Sequence, residues 1–157
     1  MSEYWTQIEK DALHDIENFE QLVEVAYTIL RRMPKPVVMV CGPMSTGGEG
    51  TLEKNMTKFA KAVAALEGSG LTVFNQIPFQ DAMVKLCALV PEKEYCDDIL
   101  ERFYRKIFEN GFIDSARFLS DWSSSRGASW EHELLSTLGI EILDYPEHLL
   151  IENSQPR

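Results

Sequence analysis

The chain is poor in the residues that staple small proteins. Its 157 residues include three cysteines, Cys41, Cys87 and Cys96, an odd number with no metal-type pairing to the three histidines. A disulfide framework or zinc site is therefore not expected, and reduced thiols are. Basic residues are also short, with 15 lysines and arginines against 25 acids and a formal charge of −10. Wrapping nucleic acid needs a basic face to neutralise phosphates, so that class of function is excluded. A small anionic ligand is not excluded, because backbone N–H groups at a helix start and one or two arginines act at short range. No apolar run approaches the ~18 residues of a membrane span. The opening MSEYWTQIEKD is acidic and amphipathic, unlike a secretory signal with its basic and then apolar parts. A cytoplasmic protein without membrane contact is the expectation.

What is present is a globular pattern, 45% hydrophobic and 25% charged, long enough to bury one core without staples. Residues 1–16 read as a polar arm carrying Tyr4 and Trp5, and 17–157 as a single domain. From Asn18, apolar residues Phe19, Leu22, Val23, Ala26, Ile29, Leu30 and Met33 recur every three or four positions until Pro34 and Pro36, which predicts an amphipathic helix. Val37–Cys41 is a continuous apolar run ended by Gly42-Pro43, the mark of a strand buried on both faces. A glycine-rich loop follows, then a helix with Leu52, Met56, Phe59, Val63 and Leu66 on one face, then a strand over 71–74. Residues 79–111 read as helical, divided at Pro91. A third strand is expected over 116–119, a helix over 127–138 closed by Gly139, and a fourth strand over 140–143. Strands alternating with helices predict an open, parallel α/β sheet.

In such a sheet ligands sit outside the carboxyl ends of the strands. Two loops with suitable chemistry leave those ends, 42–51 and 120–127, and they are expected to face one crevice. The first, GPMSTGGEGT, offers backbone N–H groups, the hydroxyls of Ser45 and Thr46, and glycines that let a ligand approach the backbone. It lacks the Lys-Ser/Thr ending of a P-loop and the spacing of a dinucleotide fingerprint. The second leads to Glu131, which shares a helix face with Leu134, Leu135 and Leu138 and must therefore point inward. Burial raises the pKa of such an acid while the helix start and any arginine lower it, so the net sign is open at this point. An inward acid at a helix start suits a nucleophile or general base. His132 and Glu133 lie off that face and read as solvated. Arg126 reads equally as a phosphate partner or a solvated loop residue. One of Ser123, Ser124 and Ser125 is expected to cap the helix. Trp122 suits packing better than stacking on a base.

Taken together, Gly42-Pro43-Met44, Asn55-x-x-x-Phe59, Gly70-Leu71-x-Val73-x-Asn75, Asp114, Trp122-x-x-Ser125-Arg126-Gly127-Ala128-x-x-Glu131 and Leu138-Gly139 resemble the nucleoside 2-deoxyribosyltransferase-like superfamily, and most nearly a branch of small, mostly uncharacterised bacterial and phage proteins. The resemblance spans about residues 37–144. It implies a flavodoxin-like α/β fold, a homodimer or larger assembly, and cleavage or exchange of the N-glycosidic bond of a nucleoside or nucleoside 5′-monophosphate. Carried over, Glu131 is the nucleophile at the anomeric carbon, and Asp121 stands near an acid that contacts sugar or base. Asp114 matches an aspartate at the start of the third strand and takes a structural or orienting role, counted with the substrate-binding residues. Gly42, Pro43, Met44, Ser45, Gly47 and Gly48 of the first loop, with Trp122, Ser125, Arg126 and Gly127 of the second, would hold the substrate. No cofactor or metal is implied. DWSSSRG stands where the superfamily has an aspartate-glycine.

Residues 47–53, GGEGTLE, are also similar to the G-G-x-G-T-x-x-E stretch of the cytokinin-activating phosphoribohydrolases, though they follow the first strand rather than a late one. The alternatives to a glycosidic-bond enzyme are thus a phosphoribohydrolase-like enzyme using that stretch, and a nucleotide-binding sensor without turnover.

Overall fold

The computed structural model describes residues 4–44, 47–89 and 97–154, the last three as backbone. The chain divides into two compact units, one drawn from the stretch before Lys35 and from Gln76–Phe112, the other from Lys35–Asn75 and from Ile113 onward.

The first unit is helical. α1 (Gln7–His14) opens on Thr6, whose N–H donates to Glu9 at 3.3 Å, so residues expected as a polar arm carry a capped helix. Trp5 and Ile16 are buried at its two ends, and Arg32 pairs with the buried Glu9. α2 (Phe19–Arg32) starts where Asn18 caps the N–H of Gln21 at 2.9 Å, and its apolar stripe is buried as the spacing predicts. A 3₁₀ turn (Ile77–Phe79), α4 (Gln80–Cys87), a π-helical stretch (Ile99–Tyr104) and α5 (Arg105–Glu109) complete the described part. Its core is aromatic, with Phe79 between Trp5 and Phe103 at centroid distances of 5.2 and 5.3 Å. Cys87, expected as a reduced thiol, is disulfide-bonded, whereas Cys41 is free and buried. Odd cysteine count and irregular spacing hid that bond from sequence arithmetic, and Cys96 lies outside the described residues.

The second unit holds the parallel α/β sheet. β1 (Val37–Cys41), β2 (Thr72–Val73), β3 (Ser115–Phe118) and β4 (Glu141–Asp144) lie in the order β2-β1-β3-β4, every pair parallel. This is the order of the first four strands of a flavodoxin-like sheet. β1 is buried along its whole length, which is why it could be apolar at every position. β4 at the edge is mostly exposed. α3 (Leu52–Gly68) carries the chain from β1 to β2 and α6 (Arg126–Leu138) from β3 to β4, and α7 (His148–Ser154) packs on α3. Thr51 caps α3 through the N–H of Lys54 at 3.2 Å, and Gly139, at φ +75°, closes α6 in the left-handed conformation. The buried Tyr145 donates its hydroxyl to the Ala62 carbonyl at 2.8 Å, tying the end of β4 to α3.

Two helix faces differ from the periodicity. In α3 the inward residue of the first turns is Asn55, while Leu52 is 41% exposed, because that end of the helix faces the preceding loop rather than the core. In α6 Leu134 and Leu135 are buried but Leu138, on the last turn, is 39% exposed. Among the described residues no helix is long and apolar enough to cross a membrane.

Candidate active site

From β1 the chain runs to β2 on one side, and from β3 to β4 on the other. The loops leaving the adjacent ends of β1 and β3 therefore diverge, and such a switch point is where open α/β sheets bind ligands. Leu119 continues the ladder past β3 by donating to the Cys41 carbonyl at 2.9 Å, and this brings its side chain over Gly42. A Cβ on Gly42 would lie 2.5 Å from Leu119 Cδ1, so any larger residue there would make the Leu119 side chain shift. Gly42 and Pro43 are buried and Met44 half-buried.

Asn55 organises the first loop. It is 3% exposed, donates through Nδ2 to the carbonyls of Met44 (2.8 Å) and Gly47 (3.1 Å), and accepts at Oδ1 from the N–H of Glu49 (2.8 Å). Gly47 and Gly48 take left-handed backbone conformations, φ +69° and +61°. Gly47 presses on the second loop so closely that a Cβ would stand 2.1 Å from the Ser124 carbonyl oxygen. The Gly48 N–H donates to Ser124 Oγ at 2.8 Å, and Ser124 in turn donates to the Asp121 carbonyl at 2.7 Å. The two loops expected to face one crevice are thus in direct contact. The N–H groups of Gly48, Glu49 and Gly50 are all bonded within the protein, the last to Gly47 at 3.1 Å. Ser45 and Thr46 lie outside the described residues.

The second loop makes a 3₁₀ turn over Trp122–Ser124 and then starts α6. Ser125 is the cap: buried, it accepts the Ala128 N–H at 3.2 Å. Arg126 is exposed on the first helical position and Gly127 half-buried beside it. Trp122 packs edge-on to Phe118 and lies parallel to the His132 imidazole, 2° from coplanar orientation with centroids 4.1 Å apart. His132, expected as a solvated residue, is half-buried in this stack. Asp121 receives an ion pair from Lys58 Nζ at 3.1 Å on Oδ2, both side chains about a quarter exposed. Its Oδ1 is buried with no hydrogen-bond partner among the described residues. An orphaned buried acceptor is costly unless something donates to it.

Glu131 points inward as its helix position predicts and is 7% exposed. Its carboxyl meets the end of β1, where the thiol of Cys41 donates to Oε2 at 3.5 Å. Burial pushes its pKa up to about 8, outweighing the Cys41 hydrogen bond, which pulls the other way. The sign left open by the sequence is therefore upward, and the carboxyl is mostly neutral at pH 7. Burial and then the neighbouring Glu131 push the Cys41 thiol well above its ordinary range, so it stays an S–H donor.

Asp114 is not brought to this place. It precedes β3 at the amino end of the strands, where its Oδ2 accepts the Val37 N–H at 2.7 Å and its carboxylate pairs with Lys35 at 3.1 Å. Burial pulls its pKa up, but these two donors outweigh it and hold Asp114 below the usual range. The phosphoribohydrolase-like stretch fares differently again. Its final glutamate position falls on Lys54, and Glu53 is exposed on the first turn of α3. Sequence reasoning assigned no role to Lys58, Cys41 or the His132 ring, and it offered Ser124 only as one of three candidate caps. Asn55 carried one signal, a polar side chain four residues before the buried Phe59, whereas Cys41 reads as one more apolar strand residue.

No curated protein and no solved structure matches the chain. The model of a family described as a domain of unknown function, DUF4406, matches residues 36–144, which takes in β1 to β4 and every residue of both loops. The chain belongs to the DUF4406 family.

Proposed function

We propose that the protein cleaves or exchanges the N-glycosidic bond of a nucleoside or nucleoside 5′-monophosphate, with Glu131 acting at the anomeric carbon. The observation that carries this reading is a buried glutamate at the switch point of the sheet, whose carboxyl has a single weak S–H donor as its partner among the described residues. A side chain so costly to bury has a use there beyond packing. The resemblance of the same segments to the nucleoside 2-deoxyribosyltransferase-like superfamily supplies the reaction class. The ionised Glu131 attacks C1′ as the bond from C1′ to the base nitrogen breaks, its electron pair and a solvent proton going to the base. Water or a second base then displaces Glu131 from C1′. Asp121, held by Lys58 with one oxygen unsatisfied, is suited to accept from a sugar hydroxyl or an exocyclic amine. A second reading, a nucleotide sensor without turnover, is favoured by the neutrality of Glu131 near pH 7, which suits binding better than attack.

The test is base release. The protein is incubated with ribo- and deoxyribonucleosides and their 5′-monophosphates, with and without an acceptor base, beside Glu131→Gln. Free or exchanged base with the wild type alone supports the enzyme. Silence from both, with a nucleotide still raising Tm, supports the sensor.

A further inference from the structure

Cys41 has no part in that scheme, yet its position is unusual. It is the last residue of β1, fully buried, and its sulfur contacts the one carboxyl to which the site is built. We propose that Cys41 is a positioning residue for Glu131, its thiol holding Oε2 by a hydrogen bond so that Oε1 is the oxygen presented to a ligand. The inference rests on the proposed role of Glu131 but concerns the carboxyl itself.

The argument begins with the freedom of a glutamate. Three side-chain torsions separate its carboxyl from α6, and ordering them carries an entropic cost that packing alone must meet unless a partner fixes one oxygen. Among the described residues the fixing contact comes from Cys41, and no other titratable or charged group acts on this carboxyl. His132 stacks on Trp122, and Lys58 and Asp121 pair with each other. A thiol suits the task because it is a weak donor on an apolar atom. It orients the carboxyl without supplying the solvation that a hydroxyl would give, so the acid stays desolvated and poised rather than permanently ionised.

A purely structural cysteine and a positioning one differ in what they do to the Glu131 titration. A hydroxyl in place of the thiol donates more strongly and favours the carboxylate, whereas an apolar side chain removes the donor. The experiment follows the side-chain carboxyl of Glu131 by carbon NMR from pH 5 to 10 in the full chain, its resonance assigned by its loss in Glu131→Gln. The variants are Cys41→Ser, Cys41→Val, which keeps the site filled and dry, and Cys41→Ala should valine prove too large. The expected midpoints run serine below cysteine below valine or alanine, with steps of about half to one pH unit, the size of one hydrogen bond. Midpoints that agree among all variants within a tenth or two overturn the proposal, as does an inverted order. Where base is released, its pH profile follows the same order, and Cys41→Ser retains activity better than Cys41→Val. The NMR titration reads Glu131 whether or not any base is released, so a chain inert toward nucleosides overturns the catalytic reading while the midpoints judge Cys41 separately.

Discussion

Glu131 is the one side chain on which the proposed chemistry rests. An acid whose pKa rises from 4.5 to about 8 on folding takes up a proton between those values. Its contribution to stability is fully present below about pH 4.5 and is lost as pH rises toward 8, at a slope of at most ~1.4 kcal/mol per pH unit. Glu131→Gln removes that slope while keeping shape and polarity. The difference in Tm between variant and wild type is therefore expected to move in favour of the variant between pH 5 and 8. A difference that stays constant across that range would show that Glu131 is not buried as a neutral acid. At the same scale, the sequence revealed the inward direction of Glu131 through its spacing to Leu134 and Leu135. It could not reveal the sign of the pKa shift, which burial sets against the opposing hydrogen bond of Cys41, ninety residues away, with no cation among the described residues acting on the carboxyl.

At the level of elements, the described part of the glycine-rich loop spends its backbone hydrogen bonds within the protein rather than forming an open cradle. Asn55 staples it with three hydrogen bonds from a buried position on α3. Asn55→Ala leaves two carbonyls and an N–H to find other partners, and is expected to destabilise the chain by about 2 kcal/mol in denaturant titration. Gly47 and Gly50 make an internal control. Both occupy positive φ, which costs a side chain ~1–2 kcal/mol. Only at Gly47 would the added carbon also meet backbone, 2.1 Å from the Ser124 carbonyl, while Gly50 has nothing within 4 Å. Gly47→Ala should therefore lower Tm well beyond Gly50→Ala and disturb ligand binding as well. Equal effects would mean that the contact between the loops does not hold them together. Periodicity and punctuation recovered β1, α2, α3 and α6 nearly to the residue, because each has a strong apolar pattern bounded by a cap, proline or glycine. The contact between Gly48 and Ser124 was legible only as the expectation that the two strand-end loops face one crevice. Which serine would bridge and which would cap was not, since Ser123, Ser124 and Ser125 are chemically alike and differ only in where the 3₁₀ turn puts them.

For the whole molecule, the parallel sheet was foreseeable from the alternation of apolar runs and amphipathic stretches. Its order follows from connection rules once β1 is central and fully buried. The disulfide at Cys87 was not foreseeable, and neither was α1, whose short polar sequence is ordered by the Thr6 and Glu9 cap and by the burial of Trp5. Under the proposed function, the net charge of −10 carries a prediction at this scale. A nucleoside monophosphate approaches against a repulsive field that salt screens over roughly 8–10 Å at physiological strength, whereas a neutral nucleoside does not. Apparent KM for a monophosphate is expected to fall as salt rises from about 10 to 150 mM, with that for a nucleoside unchanged. A monophosphate KM that instead rises with salt would point to a local cationic site strong enough to overcome the global charge.

The most direct test of Glu131 as the group at the anomeric carbon is the rate of base release from the best substrate of the panel, measured from pH 5 to 9 beside Glu131→Gln. Attack by the ionised carboxyl predicts a rate that climbs with pH and levels off above about 8, and that is lost in the glutamine variant. Release that persists undiminished in Glu131→Gln, or no release from any substrate at any pH, would contradict it.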